Sequence, residues 1–185
     1  MPERIEDGLD GGVVADIARR TTPPDAPGPQ PVEFPDHPRQ WHVGGRLFLL
    51  ELPYRYTWKQ DGQWYRLTVP AGYLHDGASV PRAAWSFVPP QPKDRAAPGH
   101  DIAYELAGVF ENGELEVHDG QVWRQVKEET SRKFWDRAFS IWLDMDPEGP
   151  GSVKRQLAYA AVRVGGKWAW GPKPSRTLPD NAPEL

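Results

Sequence analysis

The sequence predicts an α+β domain: a small antiparallel β-sheet of hairpins in the N-terminal half, packed against about three to four helices in the C-terminal half, between proline-rich extended ends. Three observations predict it. Branched and aromatic residues run in short stretches separated by glycine turns from Trp41 to Val80, the pattern of strands joined by tight turns. Helical spacing takes over after Pro81. Strands first and helices afterwards favours helices on one face of an antiparallel sheet over an alternating parallel fold. The expected division is an extended arm over 1–40, one domain over 41–170 and a tail over 171–185. A chain of 185 residues fits one core, since domains run to about 100–200 residues.

In chain order, Val13, Val14, Ile17 and Ala18 have a spacing that a short docking helix can use, weakened by the glycines before them. From Thr21 to Arg39 seven prolines remove backbone donors and favour extended chain. Gly44-Gly45 separates Trp41-His42-Val43 from the run Arg46 to Leu50, and Gln60-Asp61-Gly62-Gln63 separates Tyr54–Trp58 from Trp64–Val69; both predict hairpins. Arg82 to Val88 reads as a short helix stopped by Pro89-Pro90. A second helix, Asp101 to Leu106, starts near Gly99. Asp119-Gly120 predicts a hairpin between Glu114–His118 and Gln121–Val126. Ser131 to Leu143 places Trp135, Ala138, Phe139 and Trp142 on one face. The last helix opens at Gly151-Ser152, carries Val153, Leu157, Ala160, Ala161 and Val164 as its apolar stripe, and ends at Gly165-Gly166.

Composition narrows the chemistry. The sequence holds no cysteine, so any metal must be held by His, Asp, Glu or backbone oxygen. A net charge of −4 and a pI near 5.7 argue against nucleic acid, whose phosphates call for a basic face. No basic flank leads into an apolar run at the start, and no stretch approaches the ~18 apolar residues of a membrane span. Nine tryptophans are expected to fill the core or pair across strands, with interfaces as their other use.

One constellation can carry chemistry. His75-Asp76-Gly77-Ala78-Ser79 forms a turn at a strand end, because Gly77 tolerates positive φ and the residue before Pro81 is pushed out of the helical region. Farther on, His100, Asp101 and Tyr104 share one helical face. The functional reading makes Asp76, Ser79, His100, Asp101 and Tyr104 the catalytic candidates. Asp76, His100, Asp101 and Asp136 are the candidate ligands of a divalent zinc, manganese or iron ion that lowers the pKa of its water towards ~7. His75 is an alternative to Asp136 in that shell. A second reading has Asp76 capping its own turn, Ser79 bonding nearby backbone and His100 in a satisfied polar network. A third makes Ser79 a nucleophile with His100 as its base, against which Ala78-Ser79-Val80-Pro81 lacks the form of a nucleophile elbow. Asp136 reads equally as a surface partner of Arg132 at helical spacing. His37, His42 and His118 receive no role.

From about Leu52 to Trp168 the sequence resembles the phage and prophage family called domain of unknown function 1353. The resemblance rests on Tyr54-Arg55-Tyr56, Val69-Pro70-Ala71-Gly72-Tyr73, Asp76-Gly77-Ala78-Ser79-Val80-Pro81-Arg82, Trp85-Ser86, His100-Asp101 with Tyr104, Ser131-Arg132 leading to Asp136-Arg137 and Phe139, and Ala160-Ala161-Val162-Arg163, in that order. It implies a phage or prophage gene, acting in host cytoplasm or virion, and puts the family's own motifs on Asp76, Ser79, His100, Asp101, Tyr104 and Asp136. It supplies no reaction. Two functions are therefore expected: metal-assisted hydrolysis of a cell-wall or related substrate, or a non-catalytic tail or tail-tip assembly protein. The second would meet other phage structural proteins, or its own copies, through the proline-rich ends.

Overall fold

Aromatic residues at alternate positions decide where the sheet turns its inner face. In a computed structural model, which describes residues 36–45, 47–76 and 95–172, β3 (Tyr54–Gln60) buries Tyr54, Tyr56 and Trp58 while exposing Arg55 and Lys59, the alternation of a strand with one face on a core. It pairs in antiparallel register with β4 (Gln63–Val69), Tyr56 opposite Leu67 and Trp58 opposite Tyr65. The two-residue turn between them holds Asp61 and Gly62 at φ 51° and 84°, as Asp-Gly hairpins require. Next to β4 come β6 (Leu115–His118) and β7 (Trp123–Gln125), completing a four-stranded sheet in the order β3-β4-β6-β7.

The strand residues form two antiparallel sheets where one was expected. β1 (Gln40–Gly44) and β2 (Leu47–Leu50) form a hairpin, and β5 (Leu74–His75) joins the far side of β2, giving a three-stranded sheet β1-β2-β5. A two-residue strand is too short to show any period, so the sequence shows Leu74 leading into a turn that begins at His75 but not its pairing with β2. Val43, Leu49 and Leu74 make a small separate core there. The Asp119 hairpin also differs: its loop spans four residues, because the Asp119 carboxylate accepts the amides of Gln121 and Val122, both at 2.9 Å, and so closes the turn itself.

Three helices follow: α1 (Ala97–Glu105) and α2 (Arg132–Met145) pack on the larger sheet, and α3 (Ser152–Gly165), followed by a 3-10 turn over Gly166–Trp168, packs on α2. α2 begins where Ser131 accepts the Phe134 amide at 3.2 Å, an N-cap. Its face of Trp135, Ala138, Phe139 and Trp142 is buried as expected, and Leu143 is buried beside it. Trp142 stacks on Tyr56 at 4.3 Å and meets Trp58 edge-on at 5.1 Å, so tryptophan forms the centre of the core. No helix among the described residues is long and apolar enough to cross a membrane.

α1 starts two residues before the expected Gly99. Gly99 lies against the Tyr56–Trp142 stack so closely that a Cβ would fall 2.7 Å from Tyr56 Cε2 and 2.8 Å from Trp142 Cζ3. Its amide donates to the Tyr56 hydroxyl at 3.0 Å, which donates to the Arg95 carbonyl at 2.6 Å. One unsatisfied amide of the helix start thus finds a partner in the sheet, and this contact fixes where His100 and Asp101 fall. The expected helix over 82–88, the arm before Asp36 and the tail after Pro172 lie outside the described residues.

Candidate functional site

The predicted residues gather at the junction of the three helices with the end of β5. Tyr104, one turn beyond His100 on α1, donates its hydroxyl to Asp136 Oδ1 on α2. The rings of His100 and Tyr104 are 4.1 Å apart and Phe139 closes the other side of the imidazole at 4.6 Å. His100 Nε2 stands 3.8 Å from Asp136 Oδ1, an ion-pair separation longer than a hydrogen bond. On the opposite oxygen, Arg163 of α3 donates to Oδ2 at 2.7 Å, and Arg132 reaches within 3.5 Å of it. Arg132 also donates to the carbonyls of Val162 and Arg163 at 3.2 and 3.1 Å, satisfying the free carbonyls of a helix end.

Asp136 is therefore the hub of the cluster, with no exposed surface. Its expected partnership with Arg132 is present at 3.5 Å, but in the interior rather than on the surface. Burial pushes its pKa up, yet the imidazole of His100 and the donors on Tyr104 and Arg163 outweigh that, and the carboxyl is held below its ordinary range. Burial and then the bond to Asp136 push the Tyr104 phenol well above its ordinary value. The bond to Asp136 likewise raises Arg163. In this state Asp136 is ionised, Tyr104 protonated and Arg163 charged: one anion held by a phenol and two guanidinium groups.

Asp101 faces a different neighbour. Its Oδ2 accepts the backbone amide of Asp76 at 3.2 Å, which pins the end of β5 to the start of α1. His75, one residue earlier, is buried, with Nε2 2.8 Å from Gln40 Oε1 on β1. The four residues expected as metal ligands thus fall into two arrangements: His100 with Asp136, and Asp101 with the main chain of Asp76. A cation at Asp136 would face two guanidinium groups within 3.5 Å, an unfavourable neighbourhood for further positive charge. Among the described residues, no group of three or more His, Asp and Glu is arranged to hold a metal ion. Ser79 lies outside the described residues.

Arg163 and Gly166 belong to the cluster but were not singled out as candidates. Arg163 was visible as the residue ending the Ala160-Ala161-Val162 run, although an arginine there reads as solvated. Gly166 read only as a helix stop. In the structure it lies on the Tyr104 ring, where a Cβ would come within 2.9 Å of Cε1.

The order of these pieces along the chain matches a known pattern. The family model described as Protein of unknown function (DUF1353) covers residues 48–162, from β2 through most of α3 and including every residue of the cluster except Arg163 and Gly166. No curated protein and no solved structure matches. With the greater part of its length under that model, the chain belongs to the DUF1353 family.

Proposed function

We propose that the protein is a non-catalytic assembly component, of the kind a phage tail or tail tip contains, in which the buried cluster clamps α3 so that its outer face meets a partner. The observation that carries this reading is the two-sidedness of α3. Its inner face buries Ala158 and Val162 and sends Arg163 to Asp136, while Val153, Leu157 and Val164 stand out in solvent at 69%, 41% and 70% exposure. Isolated apolar residues on a surface are ordinary, whereas a stripe of them along one helix marks an interaction face. A carboxylate held by three or four donors serves such a clamp well, because it fixes the rotation of α3 about its axis. The phage setting rests on the family resemblance.

The test is particle incorporation. Leu157→Glu in a prophage carrying this gene should leave the purified protein as stable as wild type, since the position is exposed, and should remove the protein from purified particles or stop their formation. Normal particles containing the substituted protein would overturn the reading.

A second reading keeps the hydrolase. The contact between the Asp76 amide and Asp101 Oδ2 brings the start of the segment bearing Ser79 to the helix bearing His100, the convergence that a site built on Asp76, His100 and Asp101, with zinc, manganese or iron, requires. It predicts cleavage of peptidoglycan fragments by wild type and none by a folded His100→Gln variant. Equal behaviour of the two excludes it.

A further inference from the structure

Strand alternation keeps two tryptophans out of the core. Trp58, Trp135 and Trp142 are buried in it, whereas Trp64 and Trp123 are partly exposed. They lie on the side of the larger sheet away from the helices, because Trp64 alternates with the inward Tyr65 and Leu67 and Trp123 is reached from Trp64 across the register. That register sets Lys59, Trp64, His118 and Trp123 side by side over β3, β4, β6 and β7. At ~4.8 Å per strand the row is about 14 Å long. Next to it Arg66 pairs with Glu116 at 2.7 Å and carries its guanidinium 4.4 Å from the centre of the Trp123 ring.

The chemistry of this surface is that of a sugar platform. An indole with a cation on one face keeps its other electron-rich face for C–H groups. His118 Nδ1 accepts the Gly120 amide at 3.1 Å, which leaves the ring hydrogen on Nε2 as a donor. The Arg66–Glu116 bond uses Nε and Oε2; among the described residues, neither Arg66 Nη nor Glu116 Oε1 has a hydrogen bond. Flat rings bordered by planar donors and acceptors match a pyranose, which offers C–H groups on its faces and hydroxyls around its rim.

Charge selects among sugars. Along β3, Arg55 bonds the neutral Thr68 hydroxyl at 3.3 Å, and Lys59, exposed at the end of the row, has no ion pair among the described residues. Two cations without carboxylate partners, on a chain of net charge −4, favour a ligand that carries an occasional acid group. They are too few for a strand with a phosphate at every nucleotide.

We propose that this face binds an acidic oligosaccharide, with sugar rings stacked on Trp64 and Trp123 and a carboxylate held at Lys59. The site lies across the sheet from the helices and does not depend on the role of α3.

The test uses the full chain, fluorescently labelled, on an array of acidic and neutral oligosaccharides with a single-stranded oligothymidylate beside them. Acidic saccharides should retain it. In calorimetry with a retained saccharide, Trp64→Ala and Trp123→Ala should each weaken binding about tenfold, ~1.4 kcal/mol. Trp123→Tyr, which keeps a stacking ring, should retain most of the binding and so separates lost contact from lost fold. Lys59→Gln should weaken acidic saccharides alone, as should ~1 M salt, where the Debye length falls to ~3 Å. Retention by no saccharide, or by the oligothymidylate instead, would overturn the proposal and leave the row as cross-strand pairs that only support the sheet. Neutral saccharides bound as tightly as acidic ones would overturn the acidic assignment, and binding that survives both tryptophan-to-alanine changes would overturn the site.

Discussion

Gly166 lies flat against Tyr104, and no other residue fits there without moving the phenol that holds Asp136. The backbone at Gly166 is ordinary, φ −65°, so its role is space rather than conformational freedom. A Cβ would press on Cε1 and Cζ at 2.9 and 3.0 Å, and the ring is hemmed in by His100 and Trp170. Gly166→Ala is expected to lower stability by ~1–3 kcal/mol, the usual range for overpacking. Tyr104→Phe should restore part of that loss in the double variant, because a ring without its hydroxyl relieves the closest contact. Urea unfolding of the four proteins measures the coupling.

Asp136→Asn should cost more. It leaves Arg132 and Arg163 facing a neutral amide, and removing one member of a buried ionic group typically costs ~3–5 kcal/mol. The arginines keep partial contact with solvent, at 20% and 32% exposure, which places the loss near the lower end. The folded pKa of Asp136 lies below its ordinary value, so the stability it contributes is present above pH ~3.9 and is lost as the pH falls through the folded value. Urea midpoints taken from neutral to acid pH should decline more steeply in wild type than in Asp136→Asn, which keeps the share due to Asp119, a carboxyl that backbone amides and Arg124 also hold below its ordinary range.

At the alkaline end the sign reverses. The phenol of Tyr104 is raised in the folded protein, so the unfolded chain ionises first and stability falls as the pH climbs past ~10. Tyr65, pushed up to about 12 by burial and then by Asp61, contributes a share of its own. The diagnostic quantity is therefore the difference between wild type and Tyr104→Phe, which should also lose ~1.5–3 kcal/mol at neutral pH for a hydrogen bond to a charged group.

Gly99→Ala probes the placement of α1. The two atoms a methyl would meet belong to rings stacked on each other at 4.3 Å, which cannot yield as a flexible chain end would. A loss of ~1–3 kcal/mol is expected, with the near-ultraviolet circular dichroism of Trp142 and Tyr56 altered. A neutral result would show that the helix start can slide.

The sequence made the fold class legible because its punctuation is strong: Asp61-Gly62 set a two-residue hairpin, and Ser131 capped the helix whose apolar positions proved buried. It also brought forward Asp76, His100, Asp101, Tyr104 and Asp136, residues that do lie around one junction. It grouped the apolar stripe of the last helix without giving the direction in which that stripe turns. A 3.6-residue period shows which residues share a face but not which face turns inward, and here the inner side of α3 is chosen by Arg163 reaching Asp136 and by two small residues, Ala158 and Val162. The partnership of Gly166 with Tyr104 was hidden for a related reason, since a glycine needed for close approach looks in sequence like one needed for a turn.

On the proposed reading, the His100–Tyr104–Asp136–Arg163 cluster is a clamp. Metal content and urea midpoint of wild type, His100→Ala and Asp76→Ala, measured side by side, test it most directly. The clamp predicts no stoichiometric metal in any of the three and a clearly lowered midpoint for His100→Ala. Stoichiometric zinc, manganese or iron in wild type, lost from a His100→Ala protein that keeps its wild-type midpoint, would contradict it.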